Sequence, residues 1–130
     1  ERNAIDELLK HTDRPIFYRP KPSWKNAPPI SGTTFCPVDV PVETFMENCH
    51  AVVTHHSNVA VDGLISGIPA FCWAGVASVK ASQDFSQIEN PHRPEERQQW
   101  MNDISWTQWN VAELSQGLVW RHLKDEGLIP

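Results

Sequence analysis

The sequence has few cysteines, no cluster of basic residues and no long apolar run. Its three cysteines, Cys36, Cys49 and Cys72, lie far apart and outside any C-x-x-C pair, so neither a disulfide framework nor a zinc knuckle is indicated. The formal charge of −5 comes without any run of Lys or Arg. Nucleic acids and anionic membranes are therefore not the expected partners, because both need clustered positive charge. No apolar segment approaches the roughly 20 residues of a membrane helix. We expect a soluble, cytoplasmic protein without a transmembrane segment.

The length of 130 residues is enough for one hydrophobic core, so we expect a single domain over residues 1–130. Hydrophobic residues make up 40% and charged residues 21% of the chain, which is typical of a globular protein. The first residue is Glu1 rather than Met, and a helix-like segment follows it directly. This start is compatible with a part of a longer protein.

Hydrophobic periodicity and Pro and Gly breaks predict alternating helices and strands. The predicted elements are a helix over 2–11, a strand over 15–19, a loop over 23–41 with a brief extended piece near Ile30, a helix over 41–49, a strand, helix and strand within 50–73, a small-residue loop over 74–78, a weakly helical segment over 84–89, and helices over 95–104 and 108–123. This order predicts an α/β fold, namely a single Rossmann-like domain with a parallel sheet flanked by helices and with extra C-terminal helices. Thr107 is the predicted cap of the last helix, and Gly117 kinks or divides that helix.

The stretch from His50 to Trp73 reads as one βαβ unit, and a polar turn of His55, His56, Ser57 and Asn58 follows its first strand. Such a turn lies at the carboxyl end of the strand, where doubly wound folds bind phosphorylated ligands. Ser57 can cap the helix, and either histidine can donate a hydrogen bond to a phosphate oxygen. Asp62 can accept one from a ribose hydroxyl. The alternative interpretation is that Ser57 only caps, one histidine packs in the core and Asp62 is solvated.

Two other kinds of chemistry fit the turn poorly. A hydrolase nucleophile on such an elbow needs small residues two positions on either side of the serine, and those positions hold His55 and Val59. A metal site is not indicated either, because neighbouring histidines on a strand point to opposite sides and no carboxylate or cysteine lies at a recognised spacing.

The run from His56 to Pro69, HSNVAVDGLISGIP, resembles the H-S-x-V-x-x-E-A-L-x-x-G-x-P motif in the C-terminal half of GT-B glycosyltransferases, especially the capsule polysaccharide and Kdo-transferring group. The earlier segment Tyr18–Pro22, YRPKP, is similar to the R-P-H-P stretch of the same proteins. The resemblance covers residues 14–72 well and the tryptophan-containing tail only loosely. It implies a donor-binding domain of a glycosyltransferase that transfers a sugar from a nucleotide-sugar donor to a saccharide acceptor.

The resemblance also implies roles for individual residues. The turn around His56 and Ser57 would hold the donor phosphate, Asp62 would take the place of the family's glutamate near the sugar or ribose, and Arg19 would contribute positive charge. The chain departs from the family pattern in having the shorter Asp62, Gly63 in place of alanine, and Lys21 where histidine is common. The donor substrate is the only small molecule implied, with no cofactor and no metal.

GT-B enzymes work in a cleft between two domains, and this length supplies only the donor-binding one. The partner would be an N-terminal acceptor domain or another chain, so we assign no catalytic residue. Gly75, in the loop after the second strand of the unit, and Glu89 are further candidates for facing the ligand. The alternatives are a non-catalytic nucleotide- or phosphate-binding module and half of a GT-B-like sugar-nucleotide epimerase.

The tryptophans divide into two groups by position. Trp24 and Trp73 lie in or beside loops on the expected ligand side and are predicted to be exposed. Those of the last third, with helical spacing, are predicted to pack in a core: Trp100, Trp106, Trp109 and Trp120.

Overall fold

The computed structural model describes residues 2–130, which form helices and two small parallel sheets in an α/β arrangement. The chain divides into two compact units, one ending at Arg97 and the other spanning Gln98–Pro130. The expectation of one domain stays a prediction. No helix within residues 2–130 has the length and apolar character needed to cross a membrane.

The first unit contains the elements that position the candidate site. Its helices are α1 (Arg2–Leu8), α2 (Val42–Met46) and α3 (Val59–Ile65), and its strands are β1 (Phe17–Tyr18), β2 (Thr34–Phe35), β3 (Val52–Thr54) and β4 (Ala70–Cys72). Two short 3-10 helices follow, at Val76–Val79 and Phe85–Gln87. The predicted order of helices and strands is confirmed up to β4, except for β2.

Strand β2 corrects the predicted long loop over residues 23–41. It pairs in parallel with β1, with Phe17 opposite Thr34 and Tyr18 opposite Phe35. The prolines of this segment lie on either side of the strand and not within it, so Thr34 and Phe35 remain free to form the ladder that prolines would break. The rest of the segment from 23 to 41 is loop, as predicted, so the correction is confined to this two-residue strand.

The predicted βαβ unit is confirmed. Strands β3 and β4 are parallel, with Val52 opposite Ala70 and Thr54 opposite Cys72, and α3 connects them and packs on both. Gly67, at φ +82°, ends the helix in the left-handed region that glycine adopts without strain. Each sheet contains only two strands, so the structure supports an α/β fold and not a single Rossmann-like sheet.

The core of this unit lies beneath β4. Phe71 is fully buried and packs with Leu8, Phe85 and Ile88. The Phe71 and Phe85 ring centroids are 5.8 Å apart. Trp73 is half-buried, with its ring centroid 5.1 Å from that of Phe85. Its predicted exposure was therefore wrong, because its indole extends the aromatic cluster under the sheet.

The second unit consists of the helical C-terminal segment. Helix α4 (Arg97–Trp106) enters it, and α5 (Val111–Ser115) and α6 (Leu118–Asp125) follow. Gly117, at φ +70°, divides the predicted last helix in two. Asn110, and not Thr107, caps α5, because the Asn110 side chain accepts from the Glu113 N–H while the Glu113 carboxylate accepts from the Asn110 N–H.

The tryptophans of this segment only partly follow the core prediction. Trp100 is buried at 7% exposure, and Trp109 is half-buried with its ring centroid 5.3 Å from that of His122. Trp106 and Trp120 are 73% and 60% exposed. Helix α6, which contains Trp120, has no buried residue, and Trp106 is the last residue of α4, in which only Trp100 is buried. Helical spacing alone therefore gave these two side chains no core to enter.

Candidate functional site

The candidate site is the turn between β3 and α3, where His55, His56, Ser57 and Asn58 are all exposed. The Ser57 hydroxyl accepts a hydrogen bond from the Val59 N–H at 3.3 Å, and Val59 is the first residue of α3. The Ser57 oxygen thus satisfies one N–H at the start of the helix, as predicted, although the N-cap position itself is held by Asn58, whose side chain makes no capping hydrogen bond. The Asn58 N–H donates no hydrogen bond within residues 2–130, so this donor remains available to a ligand.

A loop from the end of β4 is fastened to this turn. The N–H groups of Trp73 and Ala74 both donate to the His55 carbonyl oxygen, at 3.1 and 2.9 Å. Gly75 follows with φ +79° and ψ 179°, and a Cβ at this position would lie 3.5 Å from the His56 carbonyl oxygen. The structure therefore brings Gly75 to the turn, in a backbone conformation that is essentially restricted to glycine.

Two residues that sequence reasoning missed support the turn from below. The Thr54 hydroxyl accepts from the Ser57 N–H at 3.4 Å. The fully buried Cys72 thiol lies 3.4 Å from the His55 oxygen and 3.0 Å from the Ala74 oxygen. The sequence contains a signal for both residues: each is the last residue of a strand, and the carboxyl ends of both strands meet the turn. Cys72 therefore helps to hold the turn and its loop together.

The two histidines of the turn interact with each other. Their Nδ1 atoms are 3.0 Å apart and their rings are edge-to-face, with centroids separated by 5.1 Å. In a neutral pair, one Nδ1–H donates and the other Nδ1 accepts. The accepting ring then carries its proton on Nε2, and that N–H can donate to a ligand. Neither histidine packs in the core, since both are exposed.

Asp62 lies on α3, one turn beyond the His55–Asn58 segment. Asp62 is an exposed residue, but partial desolvation of its carboxyl, and to a smaller extent the negative charge of Glu43, raise the pKa of that carboxyl above the ordinary value. Burial disfavours the charged form, and a like charge adds to that effect. Asp62 can act as a hydrogen-bond acceptor here, and no ion pair within residues 2–130 includes it.

Arg19 and Lys21 follow β1, and no hydrogen bond or ion pair joins either to the turn within residues 2–130. The Arg19 Nη2 atom donates to the carbonyl oxygens of Val38 and Val40, each at 3.0 Å. Arg19 is half-buried and fixes the loop before α2. Lys21 is exposed.

Glu89 has a different set of partners. Its carboxylate accepts from the Thr12 hydroxyl and pairs with Arg14, with 3.1 Å between Nη2 and Oε2. Those two hydrogen bonds, first that of Thr12, lower the pKa of Glu89. The cluster borders a cavity of about 520 Å³ lined by Leu9, Lys10, His11, Thr12, Asp13, Arg14 and Glu89. No residue of the turn lines this cavity. Through Thr12 and Arg14, Glu89 instead links the segment that follows α1 to the segment that contains the core residue Ile88.

Among residues 2–130, no group of three or more His, Cys, Asp or Glu side chains is arranged to hold a metal ion. Comparison of the chain with known protein families, with curated proteins and with solved structures found no match. The function is therefore argued from the chain's own residues and geometry.

Proposed function

We propose that this chain is the donor-binding part of a glycosyltransferase that transfers a sugar from a nucleotide-sugar to a saccharide acceptor. The observation that carries the proposal is the exposed turn from His55 to Asn58. It stands at the carboxyl ends of two parallel strands and is fastened to the loop that contains Gly75. Its residues are those that resemble the phosphate-binding motif of GT-B enzymes.

The turn offers several hydrogen-bond donors to an anion. The Asn58 N–H is unpaired within residues 2–130, Ser57 is exposed, and in a neutral pair the histidine that accepts through Nδ1 can donate through Nε2. Phosphate oxygens are acceptors, and bonds of this charge-assisted kind are about twice as strong as neutral ones. Asp62 would accept from a ribose or sugar hydroxyl, a role that a carboxylate fills without a proton.

In sugar transfer, the nucleotide phosphate is the leaving group, and negative charge grows on it as the glycosidic bond breaks. Donors that are already fixed at the position of this charge lower the barrier without having to reorganise. The hydrogen bonds from Trp73 and Ala74 to the His55 oxygen provide such fixation. The base that activates the acceptor hydroxyl would come from a second domain or another chain, and we assign no catalytic residue here.

A non-catalytic nucleotide-binding module is the second candidate. It is favoured by the openness of the turn, whose four residues are all exposed and do not line the cavity beside Glu89. Ligand sites of enzymes usually bury most of the ligand. A sugar-nucleotide epimerase of GT-B type would need a second domain, as the transferase does.

Titration of the full chain with UDP, GDP and CMP and with the matching sugar nucleotides tests the proposal. We expect saturable binding of at least one of them and an affinity about tenfold lower in Ser57→Ala, since a hydrogen bond to a charged group contributes roughly 1.5–3 kcal/mol. Ser66→Ala, an exposed serine at the other end of α3, is the matched control and should bind as the wild type does. Absence of binding at millimolar ligand would refute both nucleotide hypotheses.

Transfer and passive binding are then separated by chemistry. Release of free nucleotide from a sugar nucleotide, dependent on a saccharide acceptor and on an added acceptor domain, would support the transferase. Binding without such release under those conditions would support the non-catalytic module.

A further inference from the structure

A second cavity, outside the turn, lies between the start of α1, strand β1 and the proline-rich loop that follows β1. Its volume is about 300 Å³. The residues that line it are Arg2, Tyr18, Trp24, Pro28, Pro29 and Ile30. The nucleotide-binding turn contributes none of them.

The walls of this cavity are flat, apolar and largely rigid. Trp24 is 45% exposed, and its backbone is fixed by hydrogen bonds from its N–H to the Lys21 oxygen at 2.8 Å and from the Ala27 N–H to its own oxygen at 3.2 Å. Prolines 28 and 29 have fixed φ angles. Tyr18 is buried at 8% exposure and lies edge-to-face with Phe35. Little conformational entropy is therefore lost when a flat ligand enters.

Among residues 2–130, one charged side chain lines the cavity. The guanidinium of Arg2 is exposed and has no ion-pair partner among residues 2–130. It carries up to five N–H donors in a plane and no acceptor. A ligand that fits must therefore combine an apolar face for the walls with an acceptor oxygen at its edge.

We propose that this cavity binds a nucleobase, with one face of the base on the Trp24 indole and a carbonyl oxygen of the base accepting from Arg2. Arginine donates readily to base oxygens, as in its contact with guanine O6, and indole faces stack on any base. The volume lies at the lower end for ligand cavities, so it suits a single ring system. A sugar ring fits less well, since most of its hydroxyls would face the apolar side chains of Trp24, Pro28, Pro29 and Ile30.

The choice of a nucleobase rests on the proposed nucleotide function, but the test separates the two. The full chain is titrated with the nucleosides uridine, cytidine and guanosine, which lack phosphate, and with UDP, CMP and GDP. The variants are Trp24→Ala, Trp24→Phe and Arg2→Ala. Trp120→Ala is the control, because Trp120 is another exposed indole in the second unit.

We expect Trp24→Ala to weaken both the preferred nucleoside and its nucleotide by about tenfold or more, since base–aromatic stacking contributes on that scale. Trp24→Phe, which keeps a ring, should retain most of the affinity. Arg2→Ala should weaken binding several-fold and reduce the preference among bases, and Trp120→Ala should change nothing. Ser57→Ala should weaken the nucleotide but not the nucleoside.

Different results overturn different parts of the account. A nucleotide that binds equally to wild type and Trp24→Ala, but more weakly to Ser57→Ala, would refute the nucleobase cavity and leave the phosphate site standing. If nucleoside affinity falls in Trp24→Ala while nucleotide affinity is unchanged in Ser57→Ala, the phosphate site is refuted and the nucleobase cavity stands. Failure of every nucleoside and nucleotide to bind at millimolar concentration would refute both.

Discussion

Replacement of Gly75 by alanine tests how the loop holds the candidate turn. The Gly75 backbone has φ +79° and ψ 179°, a region that is essentially closed to residues with a Cβ and costs about 1–3 kcal/mol to occupy. Space is not the obstacle, because a Cβ would lie no nearer than 3.5 Å to the His56 oxygen. The cost therefore comes from the backbone of residue 75 itself.

The variant chain has two ways to respond. It can keep the loop and bear the backbone strain, or it can move the loop and lose the bonds from Trp73 and Ala74 to the His55 oxygen. Each of those bonds contributes about 0.5–1.5 kcal/mol, so the second route costs about 1–3 kcal/mol as well. Because both routes cost the same amount, Gly75→Ala should lower the free energy of unfolding by about 1–3 kcal/mol.

Urea unfolding of the full chain, followed by circular dichroism, measures this loss, and nucleotide titration shows whether the turn has moved. Gly117→Ala is the control: Gly117 also has a positive φ, with open space around its Cβ position, but it lies in the second unit. Gly117→Ala should lose about 1 kcal/mol without a change in nucleotide affinity. If Gly75→Ala proved as stable as wild type within about 0.5 kcal/mol, the loop would not fix the turn.

Two further substitutions test the packing and charge of the first unit. Gly63→Ala would bring a Cβ within 3.1 Å of Val52 Cγ2. The overpacking costs about 1–3 kcal/mol, which exceeds the gain of about 1 kcal/mol in helix propensity. Urea unfolding should therefore show a net loss of stability of about 1 kcal/mol. In a Val52→Ala background the same change should stabilise, and a loss there would contradict the predicted contact. Glu89→Gln should lower the melting temperature most near neutral pH. The pKa of Glu89 is lowered in the folded chain by Thr12 and Arg14, so its contribution is present above the ordinary glutamate pKa and disappears as the pH falls through the lowered one. Melting curves whose difference from wild type does not change with pH would contradict this reasoning.

Local patterns were sufficient to predict the part of the fold that carries the candidate site. The apolar run 51–53, the helical spacing from Val59 and the break at Gly67 and Pro69 gave β3, α3 and β4 with near-correct bounds, because each signal acts within a few residues. Strand β2 was missed because Thr34 and Phe35 become a strand only through pairing with β1, 17 residues earlier. Such pairing has no local signature.

Side-chain partners across the chain were equally out of reach of the sequence. Glu89 was a candidate for the ligand side, but it pairs with Arg14, 75 residues away, and Arg19 turns to the Val38 and Val40 oxygens. Spacing shows which residues can serve an anion and not which of them already have partners. Trp106 and Trp120 illustrate the same limit, since helical spacing predicts an apolar face and says nothing of what covers it.

An amide NMR titration of the full chain shows whether a nucleotide phosphate binds at the turn from His55 to Asn58. With UDP, GDP or CMP added, we expect the largest shift changes at the backbone N–H groups of residues 55–59 and of Gly75, with the Asn58 N–H moving downfield as it gains an acceptor. Ser57→Ala should reduce these changes at equal ligand concentration. Shift changes confined to other parts of the chain, or none at millimolar nucleotide, would contradict the claim.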